Sequence, residues 1–250
     1  MSEKHGRSGI AHKLRPAKLR RALRRRWFEF ELERTKLRDV AGVISLGSTY
    51  GSWLVPGGLI GADWICYSVG AGGDVSFDLE LIRRYGATVR AFEPVAGYVE
   101  EAIEEGRDEP RFSVHQAAIT TKDGPIRMQV THDPGSRSVS LAGLYESENF
   151  VELPGRTLPS MMSELGDDHI DLLKLDVEGG EYELIPQLDL RGLGVAVFAV
   201  QLHHTRSVAE ARRLIAGLHD SGYEPVGCIS AVKMTFARRD LIDAAVAEGG

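Results

Sequence analysis

Asp171-Leu172-Leu173-Lys174-Leu175-Asp176-Val177-Glu178-Gly179-Gly180-Glu181-Tyr182-Glu183 runs from an apolar strand into a knot of charge, then through a glycine turn into helix-forming residues. An open parallel sheet binds its ligands in the crevice outside the carboxyl ends of its strands, so Lys174, Asp176 and Glu178 are expected at a site. A solvated strand end with ordinary surface charges is the plainer reading of this stretch by itself.

A second stretch upstream favours the site. Trp64-Ile65-Cys66-Tyr67-Ser68-Val69-Gly70-Ala71-Gly72-Gly73-Asp74-Val75-Ser76-Phe77-Asp78 reads as a buried strand, a glycine loop and a helix start. Glycines let a backbone approach a ligand closely, and a helix amino end offers free N–H groups. The next strand, Ala87 to Phe92, ends in Glu93-Pro94, with Glu93 lying 23 residues beyond Gly70. An acid at about 20 residues suits a grip on ribose hydroxyls, and Pro94 favours an extended Glu93. A dinucleotide loop wants a third glycine where this chain has Val75, which disfavours a nicotinamide oxidoreductase. Asp74 and Asp78 would repel a phosphate. S-adenosylmethionine, with ribose and adenine but no phosphate, fits better, and Asp74 would attract its amino or sulfonium charge. Asp78 reads equally well as helix amino-terminal charge.

Tyr67-Ser-Val-Gly-Ala-Gly-Gly-Asp-Val-Ser-Phe-Asp78 and the Asp171 to Glu183 stretch together resemble the FkbM-type methyltransferases, a branch of the S-adenosylmethionine-dependent enzymes. The resemblance runs over roughly residues 46 to 238 and includes Tyr50-Gly51-Ser52-Trp53-Leu54-Val55-Pro56. It implies an α/β fold: a doubly wound, mostly parallel seven-stranded sheet of the Rossmann-like methyltransferase kind. It also implies methyl transfer to a hydroxyl of a sugar or natural product. By position, Gly70 and Gly72 would line the cofactor, Glu93 would bind its ribose, and Gln116 to Ala118, hence Ala117 and Ala118, would border adenine. Ser68 stands where many related enzymes carry an acid two places before the first glycine, so it falls at the methionine end of the cofactor site.

With 250 residues, 43% of them hydrophobic, the chain can bury one large α/β core. Residues 1–40 hold 13 Lys or Arg against 5 Asp or Glu, whereas residues 41–250 are net −14. The expectation is a basic arm over 1–40, disordered to residue 12 and helical from Pro16, joined to a methyltransferase domain over 41–250. Leu19, Leu23, Trp27, Phe30 and Leu37 recur at helical spacings, predicting an aromatic face packed on the domain. Docking of this arm to a partner or a membrane surface is the alternative. An acidic domain argues against a nucleic-acid substrate. Cys66 and Cys228 have no metal-ligand spacing and read as reduced thiols of a cytoplasmic protein. No apolar run approaches the ~18 residues of a membrane span.

Helices are expected over Phe77 to Tyr85, Val95 to Glu105, Leu158 to Leu165, Tyr182 to Leu188 and Val208 to Ser221. Strands are expected near Trp64, Val89, Phe112, Ile170 and Val197. Glu224 to Ile229 and Val232 to Ala237 read as a terminal antiparallel hairpin, and Thr131 to Asn149 as a substrate loop. Repeated βα units imply parallel strands. A methyl group on a sulfonium is already activated, so positioning supplies much of the rate, and a base need only relieve the acceptor of its proton. His203 and His204 follow the strand Val195 to Leu202 and leave it on opposite faces. His203 is the expected base or acceptor-orienting group. Asp176 and Glu178 would orient sulfonium and acceptor; a divalent metal held by them and a histidine is disfavoured, because no ligand spacing forces it. A scaffold that binds the cofactor without turnover is the competing class of function.

Overall fold

The computed structural model describes residues 16–130, 139–140 and 148–249. Helix α1 (Pro16–Glu33) leads to a hairpin of β1 (Val43–Leu46) and β2 (Trp53–Pro56). Then come β3 (Ile65–Val69), α2 (Ser76–Tyr85), β4 (Thr88–Phe92), α3 (Ala96–Gly106) and β5 (Phe112–His115). Short β6 (Ala118–Ile119), β7 (Gly124–Val130), β8 (Val139–Ser140) and β9 (Phe150–Arg156) precede α4 (Leu158–Leu165). The chain closes with β10 (Leu172–Leu175), α5 (Glu181–Leu184), β11 (Val197–Gln201), α6 (Val208–Asp220), β12 (Tyr223–Ile229), β13 (Lys233–Arg238) and α7 (Arg239–Gly249).

Seven strands form the main sheet in the order β12-β13-β11-β10-β3-β4-β5. Its five strands from β11 to β5 are parallel, and β13 runs antiparallel to both of its neighbours, β11 and β12, so the sheet is mixed. The terminal hairpin does add the antiparallel part, but its second strand lies inside, between β11 and β12. Side chains alternate across the sheet. Tyr67, Leu173, Leu175, Phe198 and Val200 join one core cluster, while Cys66, Leu172, Val197 and Ala199 join the other. Both faces are therefore covered, as a doubly wound fold requires. Helix starts follow local chemistry: Thr157 caps α4, and Ser207 with Glu210 forms a capping box on α6.

Several expectations change. Pro186 ends the helix after the acidic motif early, as a proline is expected to do: α5 stops at Leu184, short of Leu188, and Ile185–Gln187 form a single 3-10 turn. The β1–β2 hairpin, α7 and a second sheet of order β6-β9-β7-β8 were not expected. The second sheet is half solvated, and Pro125, Pro154 and Gly155 interrupt the alternation that would mark its strands. Of the Thr131 to Asn149 loop, only Val139–Ser140 and residues 148–149 fall among the described residues. In α1 the packed face carries Phe28 and Leu32, both buried, while the expected stripe faces outward, with Leu23 59% and Trp27 58% exposed. Helical spacing identified a real stripe but not its direction, because Phe28 and Leu32 form an equally good i, i+4 pair.

Candidate active site

Strand register sets one edge of the sheet. Val69 pairs with Phe92 and with Leu175, Phe92 with His115, and Leu175 with Val200. The next residue of each parallel strand therefore falls in one row: Gly70, Glu93, Gln116, Asp176 and Gln201. Backbone bonds carry the ladder past the strand ends, from the Gly70 amide to Phe92 O at 2.9 Å and from the Asp176 amide to Val69 O at 2.9 Å. Over this row lies a cavity of about 530 Å³ whose walls include Gly70, Gly72, Asp74, Glu93, Ala117, Ala118, Lys174, Asp176, Glu178 and Gln201. Its size suits a cofactor-sized ligand, for which pockets run about 300–1,000 Å³.

The two glycines of the first loop are needed for different reasons. A Cβ on Gly70 (φ 74°) would lie 1.8 Å from the Asp176 carbonyl, so close approach of the β10 end demands glycine there. At Gly72 (φ 63°) a Cβ would meet nothing within 4 Å, which leaves the loop open toward the cavity. Glu93 is buried, and both its oxygens are held by backbone: Oε2 accepts from the Gly72 amide and Oε1 from the Val95 amide, each at 2.9 Å. Burial raises its pKa above the ordinary value, against the pull of those amides. Ala117 and Ala118 line the cavity as expected, while Gln116 turns its amide to the Pro94 carbonyl.

Ser68, Asp74, Asp78 and Lys174 take on work the sequence did not disclose. Ser68 is buried and is not part of the cavity wall; its hydroxyl accepts from Lys174 Nζ at 3.3 Å. Strand alternation points residue 68 into the sheet face under α2 rather than toward the crevice. Lys174 also donates to Gly70 O at 3.0 Å, tying the glycine loop to β10. Asp74 accepts from Ser48 Oγ at 2.6 Å and from Ser76, which ties the β1–β2 turn to the start of α2. Burial pushes the Asp74 carboxyl up, but these hydrogen bonds outweigh it and hold the pKa below its ordinary value. Asp78 is not a surface helix charge: it is buried, and desolvation raises its pKa to about 6 despite Lys174 and Ser68.

At the other end of the row the acids crowd together. His203 Nε2 lies 3.8 Å from Asp176 Oδ1 and 3.5 Å from Glu178 Oε2. Glu181, fully buried, accepts from the His203 backbone N–H, from its Nδ1 at 2.9 Å, and from the Gly179 amide at 2.8 Å. Gln201 Nε2 lies 3.0 Å from His203 Nε2. Glu178 has φ 49°, a left-handed conformation uncommon outside glycine, and Gly179 follows at φ 97°. Burial alone would lower the His203 pKa, but Glu181, then Asp176 and Glu178, raise it to about 9. The imidazole is not among the residues that line the cavity, whereas its neighbours Asp176, Glu178 and Gln201 are. Burial raises the Asp176 pKa, with His203 and Lys174 pulling the other way. His204 lies apart, lining a groove against α1 with Arg24 and Trp27.

The pattern of the methyltransferase FkbM domain matches residues 67–225, more than half of the chain and every element of this row. The chain belongs to that family. No curated protein sequence matches it. Among solved structures it is similar to the methyltransferase FkbM from Methylobacillus flagellatus KT, at 14% identity and TM-score 0.45, over 70% of this chain and 43% of that one. It is also similar to precorrin-6y C5,15-methyltransferase from Geobacter metallireducens GS-15, at 14% identity and TM-score 0.40, over 92% of both chains. Aeropyrum pernix fibrillarin, in complex with natively bound S-adenosyl-L-methionine, is similar at 11% identity and TM-score 0.43, over 80% of this chain and 84% of that one. The chain spans less than half the length of the Methylobacillus protein.

The cavity wall also draws on residues assigned no role from sequence alone, some of them outside residues 67–225. Trp53 comes from the β1–β2 hairpin, Tyr98 from α3, Met128 from β7 and Lys233 from β13. Lys233 pairs with Gln201 across the antiparallel register, and its ammonium donates to Tyr50 O at 3.1 Å and Ser52 O at 3.4 Å. It stands 5.0 Å from the Trp53 ring centre, and Lys174 stands 5.7 Å from it. Glu181 had a visible signal, since it closes the same acidic motif. Lys233 had none, because only pairing of distant strands brings it to the crevice.

Proposed function

We propose that the chain is an S-adenosylmethionine-dependent methyltransferase that methylates a hydroxyl oxygen of a small molecule, a sugar or a natural product. The observation that carries this reading is Glu93, a buried carboxylate at a strand end, aimed into a cofactor-sized cavity and fixed by two backbone amides. Each oxygen retains a lone pair for a ribose hydroxyl. Gly72 lets the methionine portion pass, and Ala117, Ala118 and Met128 supply apolar wall for adenine. Asp176 and Glu178 then face the acceptor. His203 acts through them as a positioning residue, held from behind by Glu181. The enzyme's main contribution is in-line placement of an oxygen on an activated methyl group.

A nicotinamide cofactor fits less well, because Val75 replaces the glycine that lets helix and strand approach in a dinucleotide loop. The basic segment to residue 40, as an arm that docks a partner, belongs to the same reading, as does a cytoplasmic setting. No helix among the described residues is long and apolar enough to cross a membrane. The test is incubation with S-adenosylmethionine labelled in its methyl group and a panel of sugars and hydroxylated natural products. Label recovered as a methyl ether, with matching S-adenosylhomocysteine, is the expected result. Cofactor binding without transfer to any hydroxyl would instead point to a scaffold, and label on nitrogen or carbon would overturn the oxygen acceptor.

A further inference from the structure

We propose that Asp176, Glu178 and His203 form a binding site for a hard divalent cation, Mg2+ or Mn2+, at the acceptor end of the cavity. One ligand atom from each of the three, a carboxylate oxygen from each acid and an imidazole nitrogen, lies within 4.8 Å of the other two. Two ligands of a cation bound at about 2.1 Å lie roughly 3.0–4.2 Å apart, and the separations from Nε2 are 3.5 and 3.8 Å.

Three further features suit a cation. Asp176 Oδ1 is buried and accepts no hydrogen bond among the described residues. Such an oxygen is costly without a donor, and the charge nearest it is the His203 imidazole at 3.8 Å, whose Nε2 proton a bound cation would displace. The two nearby ammonium groups are committed elsewhere, Lys174 to Ser68 and Gly70, Lys233 to Tyr50 and Ser52. The second feature is Glu181, whose fully buried carboxylate accepts a hydrogen bond from Nδ1–H of His203 and leaves Nε2 turned toward the two acids. Metal-bound histidines are oriented by this kind of carboxylate partner. The third is the turn itself, where Glu178 is held at φ 49° so that its carboxylate returns toward His203. Gln201, whose amide now meets Nε2 at 3.0 Å, would give up that contact, and a half-turn of the amide offers its oxygen to the same point.

Two carboxylates and one imidazole favour a hard cation over the thiolate-seeking metals. Asp176 and Glu178 line the cavity, so the cation's open positions face it. Resting on the function proposed above, those positions would take the acceptor's hydroxyl oxygen. The oxygen would release its proton to water and form the C–O bond as the C–S bond breaks. The electron pair of that bond returns to sulfur, leaving S-adenosylhomocysteine.

The test is electron paramagnetic resonance of Mn2+ titrated into the full chain after chelator treatment. We expect about one bound Mn2+ per chain, competed by Mg2+, and affinity lowered at least ~10-fold in both Asp176→Asn and His203→Gln. S-adenosylhomocysteine affinity, measured on the same samples, should stay within about twofold and shows that both variants are folded. No Mn2+ binding at millimolar concentration, or equal binding in parent and both variants, would overturn the site. That result with intact S-adenosylhomocysteine binding would leave the proposed function standing. Loss of S-adenosylhomocysteine binding in the parent would instead remove the proposed function.

Discussion

Glu93 and Asp176 end the two strands that flank β3, one on each side, yet their surroundings are opposite. Glu93 has a backbone amide on each oxygen; Asp176 has one buried oxygen with no hydrogen bond and two acids and an imidazole as neighbours. The β3–β4 side is therefore pre-organised by the chain itself, as a site for a constant ligand should be. On the β10–β11 side three acids gather around His203, and the charges of His203, Lys174 and Lys233 act on Asp176 without a hydrogen bond to its buried oxygen. One end of the cavity is thus closed by the chain's own hydrogen bonds, and the other is left for a bound group to complete.

The sharpest way to break this contrast is Asp176→Asn. It should lower turnover about 100-fold or more, the scale on which groups handling the acceptor proton act. S-adenosylhomocysteine affinity should hardly move, and a variant that loses both would merge the two ends into one. Glu93→Ala should do the reverse. Each charge-assisted bond to a ribose hydroxyl is worth about 1.5–3 kcal/mol, so titration calorimetry should read a loss of about 10- to 100-fold in S-adenosylhomocysteine affinity for each bond removed. Gly72→Val should weaken that affinity too, by placing a branched side chain in space now open at φ 63°.

A smaller effect tests the layer beneath both ends. Asp78 is buried with its pKa raised to about 6 from an ordinary 3.8. Its folded form holds the proton more tightly than the unfolded chain does, so its contribution to stability is full below about pH 4 and is lost as pH rises through about 6. Urea unfolding of Asp78→Asn against the parent should show the variant gaining about 1–3 kcal/mol at pH 7 relative to pH 4. No pH dependence in that difference would mean Asp78 is compensated by Lys174 in full. Smallest of all, His204→Ala should leave turnover within about twofold, since its side chain lines the α1 groove and not the cavity.

Legibility in the sequence followed the range of the forces involved. Helix and strand periods and the glycine and proline punctuation disclosed α2, α4, α6 and the parallel strands to within a few residues, because those signals are local. Gly72, Glu93, Ala117 and Asp176 were legible for the same reason: each sits just past a strand end, and the parallel register does the rest. Lys233 and Trp53 were not, because antiparallel pairing and a hairpin bring them from 57 residues after and 123 residues before Asp176. Ser68 misled, since its place in the motif suggests a ligand contact while strand alternation turns it into the sheet. His203 misled in part: its position at the strand end was right, but only the packing of Glu181 and Gln201 around it decides that it faces the acids.

Calorimetric titration of S-adenosylhomocysteine, with NADH as the rival ligand, is the most direct test of the claim that this crevice holds a methyl donor. One saturable site for S-adenosylhomocysteine per chain, lost in Glu93→Ala, with no heat from NADH, is the result expected. NADH binding, or S-adenosylhomocysteine heat that Glu93→Ala leaves unchanged, would contradict it.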